Sequence, residues 1–357
     1  MRYPEFLKKG DTIGFPAPSF GCSIDPYRTL FNNALKTFSE KCFTAKPGEN
    51  AYKCDGIGIS SLPENCAREF CEMWKDSSLH ALISCGGGEL MCEILPYIDW
   101  KGIKSSPAKI FQGYSDNTNL VYTLATICDT ASIYGIGAAD FGMEPWHDSI
   151  KDSFDLLCGE KMSFESYERF ERESLKSEEN PLATLNDTEE HIHGAYIPAS
   201  DRNTQAKLVF DAREQHEDVA FEGRLIGGCL DCLANLVGTK FDKTADFLEK
   251  YKDDGFVWFL ESCDLNVYSI RRAMWQLENA GWFKYAKGFI FGRALNGEEM
   301  FGLNCFDAEL ETVKKLSVPA ILDADIGHVK PMIPIICGSI GKVSLIGNKM
   351  TLEMYLR

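Results

Sequence analysis

Lys109-Ile110-Phe111-Gln112-Gly113-Tyr114-Ser115-Asp116-Asn117-Thr118-Asn119-Leu120-Val121-Tyr122-Thr123-Leu124 is the stretch that decides the fold. Residues 109–114 form a short apolar run that predicts a buried strand. Residues 117–127 place Leu120, Val121, Leu124 and Ile127 at helical spacing. Ser115 therefore falls on a strand-to-helix turn. Such a turn lifts a side chain to the carboxyl edge of a sheet and aims the first helical N–H groups at whatever binds there. That suits an exposed nucleophile, although Asn117 stands where the hydrolase elbow G-x-S-x-G has its second glycine. Ser and Asp also favour helix starts for purely structural reasons, so the turn alone leaves a capping serine open.

A serine hydroxyl attacks at neutral pH only with a base, an orienting carboxylate and an oxyanion site. The apolar run Ala81-Leu82-Ile83-Ser84-Cys85 breaks into Gly86-Gly87-Gly88 ahead of a helix-compatible segment with Glu93, Ile94 and Leu95. Neither G-x-G-x-x-G nor G-x-x-x-x-G-K-[ST] can be written there. Consecutive glycines let backbone approach a ligand, so one of these amides with the Asp116 N–H would make an oxyanion hole; a phosphate cradle or a flexible turn would read the same.

Six histidines offer the base: His80, His147, His191, His193, His216 and His328. His328 follows the strand-like 321–327 and precedes Pro331 and Pro334, in a loop at a strand end where catalytic groups collect, or where a solvated histidine could equally sit. Glu261 terminates the apolar strand 256–260, and a carboxylate at the mouth of a buried strand needs a partner. An imidazolium would serve, as would Arg271 or Arg272.

Taken together, Gly87-Gly88, Gly113-Tyr114-Ser115-Asp116-Asn117-Thr118, Gly223-Arg224-Leu225-Ile226-Gly227-Gly228, Phe259-Leu260-Glu261 and Gly327-His328 resemble, in order and spacing, the serine LD-carboxypeptidase family, which includes the microcin C immunity peptidases. The resemblance runs from Gly10-Asp11-Thr12-Ile13 to the terminal strands and is weakest in the middle. It implies Ser115 as nucleophile, His328 as general base and acid, Glu261 as the carboxylate orienting it, and the Gly88 and Asp116 amides as the oxyanion hole. It implies release of D-alanine from a murein tetrapeptide, or cleavage of a peptidyl or aminoacyl nucleotide, with no cofactor and no metal. It also implies a homodimer. Cys229 departs from the pattern where many relatives have asparagine, and Ser262-Cys263 follow Glu261 where an acid is common. Tyr134-Gly135 and 140–146 look more like the microcin-immunity branch.

The alternation of strands and helices predicts an α/β protein with a parallel sheet flanked by helices in an N-terminal domain, 1–150. Residues 151–205 turn polar and read as a linker and variable loop region, with Trp146 at its edge. Residues 206–357 read as a smaller α/β domain carrying Glu261 and His328, which places the expected active site at the domain interface.

The balance of 37 basic against 53 acidic residues gives a net charge of -16, which repels phosphate backbones and argues against nucleic acid as a partner. No apolar run reaches the roughly 18–20 residues of a membrane span, and the first ten residues lack a signal-peptide core, so the expected location is cytoplasmic. Fourteen cysteines mostly fall on apolar faces, such as Cys66, Cys71 and Cys128, and the C-x-x-C pair Cys229 and Cys232 has no second pair at zinc-site distance. His191 and His193 stand in polar sequence and are expected to be solvated. Arg271, Arg272 and Lys330 are candidates for the carboxylate of a peptide substrate. A non-catalytic peptide or nucleotide binder, and a cysteine enzyme using Cys85, are the competing readings.

Overall fold

The computed structural model describes residues 1–199, 205–214 and 218–357, so His216 and part of the 151–205 stretch lie outside the described residues. The chain forms two compact units. The first comprises Met1–Lys161, Glu173–Asn186 and Pro334–Cys337; the second comprises Met162–Arg172, Asp187–Ile333 and Gly338–Arg357.

In the first unit, six strands are ordered Ile335–Cys337, Ser132–Tyr134, Ile110–Gly113, Ala81–Ile83, Thr12–Phe15 and Thr44–Pro47. All neighbours are parallel except the edge strand Ile335–Cys337, which runs antiparallel to Ser132–Tyr134. Thr12–Phe15 lies between Thr44–Pro47 and Ala81–Ile83, so the winding direction of the sheet reverses there. Ligands of doubly wound sheets bind outside the strand ends at such a reversal, where the Gly86-Gly87-Gly88 turn begins. The helix Thr118–Cys128 is buried nearly all round, with Leu120, Val121 and Leu124 wholly out of solvent. Each such side chain contributes roughly 1.5–3 kcal/mol, which makes the elements on either side of Ser115 a rigid mount.

The second unit is built on a nine-stranded sheet ordered Lys207–Val209, Gly194–Ile197, Ala320–Ala324, Ala286–Gly292, Phe256–Glu261, Val219–Cys229, Ile340–Ile346, Lys349–Tyr355 and Ser163–Glu165. Its four central strands, from Ala320–Ala324 to Val219–Cys229, are parallel, and the flanking pairs are antiparallel. Phe256–Glu261 is buried along its whole length, as its uninterrupted apolar run requires. Gly227 is obligatory beside it: its φ is 153°, and a Cβ there would sit 1.8 Å from the Phe259 carbonyl oxygen.

The 151–205 stretch contains more regular structure than its polar composition announces. The helix Asp148–Leu157 enters it, and the strands Ser163–Glu165, Arg169–Glu171, Asp187–Glu190 and Gly194–Ile197 follow. Two of these strands are held by partners distant in sequence, Ser163–Glu165 by Lys349–Tyr355 and Gly194–Ile197 by Ala320–Ala324. No local periodicity is needed for such pairing. Among the described residues, no helix is long and apolar enough to cross a membrane.

Candidate active site

Ser115 begins a short 3-10 turn directly after the strand Ile110–Gly113, one residue beyond Tyr114. Its φ is +62°, in the left-handed region that non-glycine residues occupy at a cost. The turn is held in that strained shape from several sides. The Ser115 N–H donates to the Tyr134 hydroxyl at 3.2 Å, and the Asn117 amide donates to the carbonyls of Gly86, at 2.8 Å, and Tyr114, at 3.1 Å. Asn117, which departs from the usual elbow glycine, thus ties the serine turn to the glycine turn.

The glycine turn lies against the serine. A Cβ on Gly87 would stand 3.2 Å from Ser115 Oγ, and one on Gly88 would collide with Ser19 Oγ at 2.1 Å. Ser19, which the sequence reading passed over, donates to Asp116 Oδ2 at 2.6 Å; the Met91 N–H donates to the same oxygen at 2.9 Å. Asn119 donates to Oδ1 at 3.1 Å. Burial raises the Asp116 carboxyl to about 6 despite these donors. Its side chain is therefore a structural pin of the turn. The backbone N–H groups of Gly88 and Asp116 have no acceptor among the described residues.

In the second unit, Glu261 ends the strand Phe256–Glu261 with its side chain fully buried. His328 follows the strand Ala320–Ala324 through Gly327. His328 Nδ1 is 2.8 Å from Glu261 Oε2, and the imidazole keeps 15% of its side-chain surface exposed. Gly327 has φ +95°, and a Cβ there would meet Glu261 Oε2 at 2.4 Å, so only glycine lets the loop close over the carboxylate. Burial opposes the charged imidazole, but the Glu261 carboxylate and the Cys263 side chain outweigh it and push His328 up to about 10. The residues after Glu261 are fixed by Asp231, whose carboxylate accepts the N–H groups of Cys263, Asp264 and Leu265 at 2.9–3.2 Å.

The other candidates make contacts of their own. Arg271 pairs with Glu311 at 3.3 Å, Arg272 donates to Ser269 Oγ at 2.9 Å, and Lys330 Nζ is 3.3 Å from Met332 Sδ. His80 lies 3.4 Å from Asp11, and His147 caps the helix Asp148–Leu157 by accepting the Ser149 N–H. Cys85 is wholly buried and its thiol is driven well above its ordinary range by that burial, which removes it as a nucleophile. Cys229 closes its strand and Cys232 lies in the helix Leu230–Leu236. Among the described residues no group of three or more His, Cys, Asp or Glu side chains is arranged to hold a metal ion.

The expectation that His191 and His193 are solvated is overturned: each is 1% exposed. The polar local sequence misleads because their partners come from distant elements. His191 Nδ1 reaches the Tyr167 carbonyl at 2.8 Å and Nε2 the Asp323 carbonyl at 2.6 Å, while His193 Nδ1 is 3.0 Å from the Asn348 carbonyl oxygen. Burial and the neighbouring His191 lower His193 to about 4. Arg293, Asp325, Ser19 and Asp231 also escaped the sequence reading; a charged residue directly following a buried strand, as Arg293 does, is the signal that could have marked one of them.

A doubly wound sheet with a strained serine at a strand end, and a carboxylate-held histidine on a second α/β unit, is the framework of a serine-type hydrolase. The LD-carboxypeptidase N-terminal domain matches residues 13–135, and the LD-carboxypeptidase C-terminal domain matches residues 222–343. The chain is similar to a Bacillus subtilis protein named as a probable murein peptide carboxypeptidase, with 25% identity over 94% of this chain and 89% of that one. It is also similar to the Escherichia coli microcin C7 self-immunity protein MccF, with 24% identity over 93% of this chain and 90% of that one. The solved structure of MccF in complex with glutamyl sulfamoyl guanosine has the same fold, with a TM-score of 0.75 and 20% identity over 99% of this chain and 98% of that chain. The chain belongs to the LD-carboxypeptidase family of serine peptidases and is a serine-type carboxypeptidase.

Proposed function

We propose that this peptidase hydrolyses an amide near the C-terminus of a small peptide, with Ser115 as nucleophile, His328 as general base and acid, and Glu261 orienting the imidazole. The observation that carries the reading is Ser115 at φ +62° on a strand-end turn, with the Gly87 backbone packed against its hydroxyl. His328 Nε2 takes the Ser115 proton as Oγ attacks the carbonyl carbon. The oxyanion then accepts from the Gly88 and Asp116 amides, a contribution of about 3–4 kcal/mol per donor. Collapse breaks the C–N bond, and the leaving amine departs with the proton held by His328. Water, deprotonated by the same imidazole, hydrolyses the ester and frees Ser115. Because Glu261 favours the imidazolium, base catalysis strengthens as pH rises toward the raised His328 value.

The substrate proposed first is a murein tetrapeptide that loses its terminal D-alanine, following the name of the Bacillus subtilis relative. The second is a peptidyl or aminoacyl nucleotide, favoured by the near-complete coverage of the MccF complex with a glutamyl sulfamoyl nucleoside. Wild type and Ser115→Ala, incubated in parallel with an L,D-tetrapeptide and an aminoacyl sulfamoyl nucleoside and read by mass spectrometry, separate the two. Release of D-alanine by wild type alone supports the first reading, and cleavage of only the nucleotide conjugate replaces it with the second. Equal turnover by Ser115→Ala would sink the assignment of the nucleophile.

A further inference from the structure

Arg293 immediately follows the strand Ala286–Gly292 and is 6% exposed, an unusual location for a charge unless it is paired. Its Nη2 lies 2.7 Å from Asp325 Oδ1 and donates to the carbonyls of Val329, at 3.0 Å, and Pro331, at 3.2 Å. Its Nη1 donates to the Asp323 carbonyl at 3.3 Å and is 3.0 Å from His191 Nε2. The Phe170 ring covers the guanidinium at 4.8 Å. Asp325 is wholly buried, and its Oδ2 accepts the Tyr167 N–H at 2.8 Å and lies 3.4 Å from His191 Nδ1. The Ile333 N–H donates to the Asp325 carbonyl at 2.8 Å, which closes the 325–333 loop on itself.

His328 sits inside that loop, one residue before the carbonyl of Val329. A guanidinium that grips Val329 and Pro331 while paired to Asp325 holds the loop on both sides of the imidazole, in a planar fork that an ammonium cannot reproduce. We propose that Arg293, acting through Asp325 and His191, is a positioning residue that fixes the 325–333 loop so that the His328 imidazole stays on Glu261 in the orientation needed to take a proton. The inference rests on the reading of His328 as the base. A cleft of about 560 Å³, lined among others by Phe170, His191, Arg293, Asp323 and Val329, gives the buried guanidinium a route to solvent.

The test uses the full-length protein and the rate at which a fluorophosphonate labels Ser115, which requires no knowledge of the natural substrate. Arg293→Ala and Arg293→Lys should each slow labelling by about 100-fold, the scale of a catalytic group displaced by about 1 Å. The pH profile of labelling should shift to lower pH as the Glu261 contact loosens. Added guanidinium chloride, at millimolar concentration below the onset of unfolding, should restore much of the rate to Arg293→Ala and none to wild type, while the shifted pH profile is the response that a merely structural residue would not give. His328→Ala serves as the control. If it labels as fast as wild type, the assignment of the base fails. If it is slow while both Arg293 variants label at the wild-type rate with an unmoved profile, the positioning role is overturned. Loss of the folded state in both Arg293 variants, seen by far-ultraviolet circular dichroism, would also overturn it in favour of a role in folding alone.

Discussion

With Ser115 as the proposed nucleophile, the requirements of chemistry and of stability oppose each other at this residue. The φ of +62° exposes Oγ at the strand end, and it places a Cβ in a conformation that costs about 1–2 kcal/mol. Glycine carries no such penalty. Ser115→Gly should therefore be inactive yet about 1 kcal/mol more stable than Ser115→Ala, in which the strain remains. Urea unfolding of the two variants side by side checks this, and equal midpoints would show that the turn is unstrained. Glu261 supplies the second prediction at this scale. Its carboxylate holds the imidazolium of His328 up at about 10 against the opposing effect of burial. Glu261→Gln removes that charge, so the pKa of His328 should fall and the acidic limb of kcat/KM should move to lower pH. The ceiling should drop by about 10⁴ because the imidazole loses its fixed tautomer. A full pH profile with the limb unmoved would refute the coupling.

Whole elements depend on single side chains in the same way. Asp231, at the start of the helix Leu230–Leu236, receives three successive N–H groups of the segment that follows Glu261. Asp231→Ala should cost about 2 kcal/mol, since those partly exposed amides can recover some hydration. It should also lower kcat/KM by about tenfold through movement of Glu261; unchanged activity in the destabilised variant would separate the segment from the chemistry. The same contrast explains what the sequence revealed. The strand-to-helix turn at Ser115 and the buried strand ending at Glu261 were legible because each is defined by local periodicity and its own breakers. Gly327 marked the His328 loop, though nothing local tells that its missing Cβ makes room for Glu261 Oε2. His191 and His193 were misread because strand partners near 320–324 and the Asn348 turn, more than a hundred residues away, bury them. Arg293 was overlooked for a related reason: besides Asp325 and His191, its partners are backbone carbonyls, which no residue-type pattern announces.

Across the whole chain, pH acts on the two units through buried groups of opposite sign. In the first unit, Asp116 titrates at about 6 against an ordinary 3.8, so the folded state keeps a proton that the unfolded chain has lost. Its contribution is present at low pH and is lost as pH rises through 6. In the second unit, His193 titrates at about 4 against an ordinary 6.5. Below 6.5 the unfolded chain takes up a proton that the folded state refuses, so this contribution is present above 6.5 and is lost as pH falls through 4. Its size is about 3 kcal/mol, because each tenfold change in proton affinity between the folded and unfolded chain is worth about 1.4 kcal/mol. His328 closes the window from the other side: its pKa is raised, so its contribution is complete below 6.5 and is lost as pH rises through about 10. The second unit should therefore be most stable near pH 6.5, and acid should loosen it while relieving the first. His193→Gln keeps a donor for the Asn348 carbonyl and removes the titration. Hydrogen exchange of the Gly194–Ile197 and Ala320–Ala324 amides between pH 4 and 7, corrected for the intrinsic rate, should show a steep acid loss of protection in wild type and a shallower one in the variant. An identical slope in both proteins would mean that His193 is not the group through which acid opens this sheet.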